Sequence, residues 1–127
     1  MSEETTFFDE IGGEETFRRI VARFYEGVAT DEVLRPLYPE EDLGPAEERF
    51  RLFLMQYWGG PTTYSERRGH PRLRMRHAPF PIGLEARDRW LHHFRAALDS
   101  VELTPEQDER FWAYVTHAAT FMMNTRD

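Results

Sequence analysis

Apolar residues recur along this chain at helical spacing, and no alternating strand pattern runs for a useful length. Phe17, Ile20, Val21, Phe24 and Val28 stand at i, i+3, i+4, i+7 and i+11, one stripe of an amphipathic helix that begins after Gly12-Gly13. Asp31 can cap a brief turn through Val33 and Leu34, and Pro36 and Pro39 keep it short. Gly44-Pro45 opens the next helix, with Ala46, Phe50, Phe53, Leu54 and Tyr57 as its stripe and Gly59-Gly60-Pro61 as its stop. The stretch from Pro61 to about Leu73 is charged and rich in turn residues, so it is expected to be a loop packed over a surface. It leads into one short helix carrying Met75 and His77, ended by Pro79 and Pro81. A further helix runs from about Gly83, with Leu84, Trp90, Leu91, Phe94, Ala97, Leu98 and Val101 on a broad apolar face. Thr104-Pro105-Glu106-Gln107 is a capping box, and Phe111, Tyr114, Val115, Ala118, Ala119 and Met122 form the stripe of the last helix. The pattern predicts an all-α fold of about four long helices.

The size, 127 residues with 40% hydrophobic, suits one domain over residues 1–127. Ten Phe, five Tyr and three Trp are a heavy aromatic load that needs a ring-lined core or a flat apolar partner. A net charge of −7 repels phosphate backbones and anionic membranes, so neither nucleic acid nor membrane is an expected partner. The chain has no cysteine, which excludes disulfides, thiolate metal sites and covalent haem attachment through C-x-x-C-H. The Met1-Ser2-Glu3-Glu4 start lacks a basic segment and apolar run, and no stretch approaches a membrane span, so the expected location is cytoplasmic.

Among the five histidines, His77 ends a short helix bracketed by a loop and two prolines, where its ring can be aimed at a planar group. Read alone, it is as readily a satisfied surface or core residue. A zinc site has little support, because no H-E-x-x-H is present and the adjacent His92 and His93 point about 100° apart on a helix. Arg67, Arg68, Arg72, Arg74 and Arg76 form a basic cluster that is either a solvated face or a partner for a ligand's carboxylates.

In order and spacing, Gly12-Gly13, Phe24-Tyr25, Tyr38-Pro39, Gln56-Tyr57-Trp58-Gly59-Gly60-Pro61, Gly69-His70-Pro71 and Arg74-Met75-Arg76-His77-Ala78-Pro79-Phe80-Pro81-Ile82 resemble the group II truncated haemoglobins over nearly the whole chain. Trp90 follows where that group carries a pocket tryptophan.

The resemblance implies a two-over-two helical sandwich around a non-covalent haem b, with His77 as the proximal iron ligand. Tyr25, Tyr38 and Trp90 match the group's distal residues, each placing an O–H or N–H donor on an apolar body. Ala46 matches a position near the ligand gate where many globins have a larger polar residue, leaving an opening toward solvent. Phe50 stands where relatives often have Leu or Gln, a departure that changes pocket volume. Phe53, Leu54, Leu73 and Met75 are expected against the macrocycle, and Arg49, Arg74 and Tyr64 near the propionates. The implied function is reversible binding of dioxygen, nitric oxide or carbon monoxide. Its implied uses are oxygen-dependent oxidation of nitric oxide with an unidentified reductase, or weak peroxidase chemistry; a homodimer is left open. The competing reading is a cofactor-free helical interaction module.

Overall fold

A computed structural model describes residues 5–125; the Met1-Ser2-Glu3-Glu4 segment lies outside them. Its elements are α1 (Phe7–Glu10), α2 (Gly13–Ala29), a 3-10 turn (Arg35–Leu37), α3 (Gly44–Tyr57), α4 (Thr63–Arg68), α5 (Leu73–His77), α6 (Leu84–Asp99) and α7 (Pro105–Phe121). No strand occurs among the described residues, and none of the helices is long and apolar enough to cross a membrane. The α2–α3 pair lies over the α6–α7 pair, with the main contact between α2 and α6. Phe17, Ile20, Val21, Phe24 and Val28, the predicted α2 stripe, are completely buried, and Phe94, Ala97, Leu98, Phe111 and Val115 meet them from the other layer.

Local chemistry explains the element boundaries. Both residues of Gly12-Gly13 have positive φ, 115° and 68°, a backbone path that side-chain-bearing residues resist. The predicted capping box is present on α7: the Thr104 hydroxyl accepts from the Gln107 N–H, and the Gln107 side chain accepts from the Thr104 N–H. Arg95 then ties α6 to α7 within their layer, bonding both Asp99 and Asp108 while lying over the Trp112 ring.

Two segments differ from the sequence expectation. Where a loop is predicted after Pro61, α4 forms one helical stretch and buries Tyr64. Its orphan Ser65 N–H is taken by the side chain of Gln56 at 2.9 Å, which also donates to the Ser65 hydroxyl at 2.7 Å. The helix is therefore capped from α3, a long-range cause that local turn residues conceal. The acidic start likewise contains α1, capped by Thr6 and docked by a Phe8 N–H bond to the Trp58 carbonyl at 2.9 Å.

Asp31 joins the two layers. Its nearly buried carboxylate accepts from the Val33 and Leu34 N–H groups, from Arg89 Nη1 at 3.2 Å and from His93 Nε2 at 2.7 Å. Burial pushes this carboxyl up, but His93, the two backbone donors and Arg89 outweigh it and hold it well below the usual range. The bonded His93 ring packs onto Gly27, where a Cβ would lie 2.2 Å from its Nδ1.

Two outcomes follow from this arrangement. Gly27→Ala should destabilise by about 2 kcal/mol in urea unfolding, because the methyl displaces His93 from a buried carboxylate. In a His93→Ala background the same change should cost little. A carboxyl whose folded pKa is depressed contributes its full stability above the ordinary carboxylate pKa and loses it as pH falls toward the folded value. The stability difference between the parent and Asp31→Asn should therefore be constant near neutrality and shrink below about pH 4.

Candidate functional site

Between the layers lies a cavity of about 400 Å³, within the range that small-molecule sites occupy. Its walls are mostly apolar. Ala46, Phe50, Phe53 and Leu54 come from α3, Leu73 and His77 from α5, Ala86 and Trp90 from α6, and Tyr114, Val115, Ala118 and Ala119 from α7. Tyr25, Leu34, Leu37 and Tyr38 close one end, while Phe80, Ile82 and Met122 line the side near His77.

His77 is the one histidine of five that lines this space. Its Nδ1 lies 2.6 Å from the Leu73 carbonyl. A carbonyl can only accept, so Nδ1 carries the proton and Nε2 keeps its lone pair. Of the two neutral tautomers, this bond selects the one that leaves Nε2 free. Its backbone is held from two sides. Arg76 bonds the Pro71 carbonyl at 2.7 Å and the Arg68 carbonyl at 3.0 Å, binding α5 to the segment before it. Asn124 bonds the carbonyls of Phe80 and His77 at 2.8 and 3.3 Å and accepts the Ile82 N–H at 2.8 Å.

Tyr25, Tyr38 and Trp90 cluster at another part of the cavity wall. Tyr25 and Tyr38 pack edge to face with centroids 5.7 Å apart, and Trp90 lies against Phe24, Phe50 and Phe94. Burial pushes the Tyr38 hydroxyl pKa up, opposed by the neighbouring Tyr25 hydroxyl and Trp90 indole. Burial, followed by the charge and hydrogen bond of Tyr38, raises Tyr25 well above the ordinary phenol value. Both phenols are therefore neutral donors at physiological pH. The Tyr25 hydroxyl donates to the Ala46 carbonyl at 3.5 Å, the outer limit of a bond. Tyr38 lines the cavity beside both residues and keeps its phenolic proton, so its hydroxyl can serve as a donor there. Arg35 fixes the backbone around it by bonding the carbonyls of Tyr38, Glu40 and Glu41.

The mouth is cationic. Arg49, Arg68, Arg76 and Arg87 line it, and Glu40 joins them. Arg49 is paired with Glu40 at 2.6 Å, and Arg87 with Asp88 at 2.9 Å. Arg68 forms no ion pair among the described residues and lies over the Tyr64 ring. The Arg49 bond holds Glu40 below the ordinary carboxylate value, while its Oε2 is buried without a partner.

Of the residues picked from sequence, His77, Tyr25, Tyr38, Trp90, Phe50, Ala46, Phe53, Leu54, Leu73, Arg49 and Tyr64 all line the cavity. Met75 and Arg74 do not: Met75 is 60% exposed, and Arg74 lies over the Phe121 ring. Residues the sequence reading did not pick for the site are Glu40, Arg87, the α7 wall and Asn124. The α7 residues were legible as an apolar stripe, which periodicity cannot distinguish from ordinary core; Asn124 gave no signal.

An apolar slot, one imidazole nitrogen without a hydrogen-bond partner, and arginines at the rim fit a haem, whose ring is apolar and whose two propionates are anionic. A bare metal ion fits less well, since no group of three or more His, Asp or Glu converges among the described residues.

Comparison with known proteins agrees with this geometry. The family model described as bacterial-like globin matches residues 6–124. The group 2 truncated hemoglobin YjbI of Bacillus subtilis is 42% identical over 112 residues, 88% of this chain and 84% of that protein. The solved structure of a thermostable hemoglobin from Thermobifida fusca has a TM-score of 0.95 at 65% identity, covering 97% of this chain and all of that one. The hemoglobin from Chloroflexus aurantiacus gives 0.93 at 57% identity, with 96% and 100% covered. This chain therefore belongs to the group 2 truncated haemoglobins, and its all-helical sandwich is the truncated globin fold.

Proposed function

We propose that the cavity holds a non-covalent haem b ligated by His77 Nε2, and that the chain reversibly binds dioxygen and other small diatomic ligands. The observation that carries this reading is the 2.6 Å bond from His77 Nδ1 to the Leu73 carbonyl, which leaves the opposite ring nitrogen basic on a side chain facing an apolar slot. When bound, the haem supplies an iron that takes up the diatomic ligand. The protein's own residues do the rest. His77 donates a lone pair and is kept from rotating by its bond to Leu73. Phe50, Phe53, Leu54 and Leu73 exclude water, which strengthens every polar contact inside. Tyr38, backed by Tyr25 and Trp90, presents a neutral hydrogen-bond donor to a ligand that gains negative charge on binding. Arg68 is the rim cation best placed for a propionate, because Arg49 and Arg87 already hold carboxylates.

We assign the bound oxygen a chemical use, with conversion of nitric oxide to nitrate ahead of peroxidase turnover. Joining one dioxygen and one nitric oxide as nitrate consumes one electron, which a reductase must return. Three aromatic donors around the ligand favour tight binding and slow release, a property suited to chemistry more than to delivery. The cytoplasm is the compartment we assign, since it supplies such an electron donor.

Purified protein given hemin should develop an intense Soret band, and His77→Gly should lose or strongly shift it; an unaltered spectrum and unaltered carbon monoxide binding in that variant would falsify the axial assignment. A colourless protein that refuses hemin would instead favour the interaction-module reading. A buried hydrogen bond to a charged group contributes about 1.5–3 kcal/mol. Tyr38→Phe and Trp90→Leu should each speed dioxygen release in stopped flow by about tenfold or more. Release no faster than in the parent would remove that residue from the ligand's surroundings.

A further inference from the structure

One wall residue connects the cavity to solvent through a stack of oxidisable rings. Tyr114 lines the cavity on α7, and its ring lies flat on Tyr57 of α3, with centroids 3.9 Å apart and planes 21° from parallel. Tyr57 is 50% exposed. We infer that this pair is an electron relay, with Tyr57 the surface site at which a phenolic reductant gives up electrons that pass through Tyr114 toward the haem cavity. The inference rests on the haem reading above.

The other oxidisable rings on the cavity wall are Tyr25, Tyr38, Tyr64 and Trp90. None of them leads outward. Trp90 contacts only the rings of Phe24, Phe50 and Phe94, whose benzene groups resist oxidation. The ring of Tyr38 packs on that of Tyr25, whose other ring contacts are phenylalanines. Tyr64 is buried against Phe53 under the Arg68 cation. Tyr38 and Trp90 are only partly accessible, and among the described residues the Tyr114–Tyr57 stack is the route from the cavity wall that ends on an exposed oxidisable ring.

The surroundings also decide where an electron vacancy comes to rest. Trp58 touches both tyrosines, at 5.0 and 5.6 Å, but Arg110 sits 5.2 Å over its ring centre. A fixed positive charge opposes loss of an electron from that indole. Tyr114 is also a poor end point. An oxidised phenol must shed its proton, yet burial, reinforced by Tyr57, holds the Tyr114 hydroxyl pKa far above the ordinary value, and no acceptor among the described residues bonds it. Tyr57 can release its proton directly to water.

The oxidant is named by class as a peroxide. Hydrogen peroxide takes two electrons and two protons to give two waters, leaving the protein two electrons short. For each, one electron crosses from Tyr57 through Tyr114 while the Tyr57 proton leaves to solvent, and a phenol in solution restores both by giving up its O–H hydrogen. Without that reductant, Tyr57 radicals on two molecules couple through a new carbon–carbon bond. The net change is then one peroxide and two tyrosines to two waters and one dityrosine.

The test treats the hemin-loaded protein with hydrogen peroxide and a nitroso spin trap, followed by tryptic digestion. The expected adduct sits in the peptide from Leu52 to Arg67, with tandem fragmentation placing it on Tyr57 rather than on Trp58 or Tyr64. Tyr57→Phe, a surface change, should keep the Soret band and lose both this adduct and the dityrosine-linked dimer. Tyr114→Leu, which removes the stacked ring, and Tyr114→Phe, which keeps a ring that resists oxidation, should both lose labelling at an intact Tyr57. A normal Soret band with the adduct on Trp58 or Tyr64, or full Tyr57 labelling in Tyr114→Leu, overturns the relay while leaving the haem reading intact. Absence of a Soret band before peroxide is added overturns both.

Discussion

In a neutral imidazole one ring nitrogen donates and the other accepts, and the Leu73 carbonyl settles which is which in His77. That choice is made by helix geometry, since residues four apart in a helix are neighbours and the carbonyl of Leu73 lies beneath the ring of His77. A five-residue helix is too short to hold its shape alone. The surrounding bonds, Arg76 to the segment before α5 and Asn124 to the segment after it, supply the rigidity that α5 lacks. The long helices then serve as walls whose spacing is fixed by packing elsewhere, chiefly the fully buried stripe of α2 against α6.

The polar groups divide into those that build the walls and those left facing inward. Asp31 takes four donors, three on Oδ1 and one on Oδ2, and its charge is committed to holding the layers together. Tyr38 is the reverse case, a protonated phenol that lines the cavity and retains its donor there. Glu40 is intermediate, with one oxygen neutralised by Arg49 and the other buried and unmatched. A carboxylate so placed keeps negative charge next to two phenols and reinforces their protonated, donating form.

Most of the framework was legible because long amphipathic helices announce themselves by period and cap, as the α2 stripe and the α7 capping box do. What escaped was short or long-range. The α4 helix depends on Gln56, a residue of the preceding helix, and α1 is only four residues long. Within the site, adjacency to His77 misled for Met75: two residues along a helix is a turn of about 200°, so its side chain leaves on the opposite face. Leu73, at four residues, returns to the same face and lines the cavity. The α7 residues posed a different problem, since a stripe facing a neighbouring helix and a stripe facing a cavity have one and the same period. Nothing in Tyr57 or Tyr114 taken singly foretold their stacking, which is a product of how α3 and α7 meet.

The Asn124 contacts have a mechanical corollary. This residue follows the last helix and grips the segment just beyond the histidine through both its side chain and its N–H. Tension or bulk attached downstream of it, from a fused peptide or an affinity handle, would be transmitted to the His77 imidazole within a few bond lengths. Handles for immobilising or labelling this globin belong at its other end.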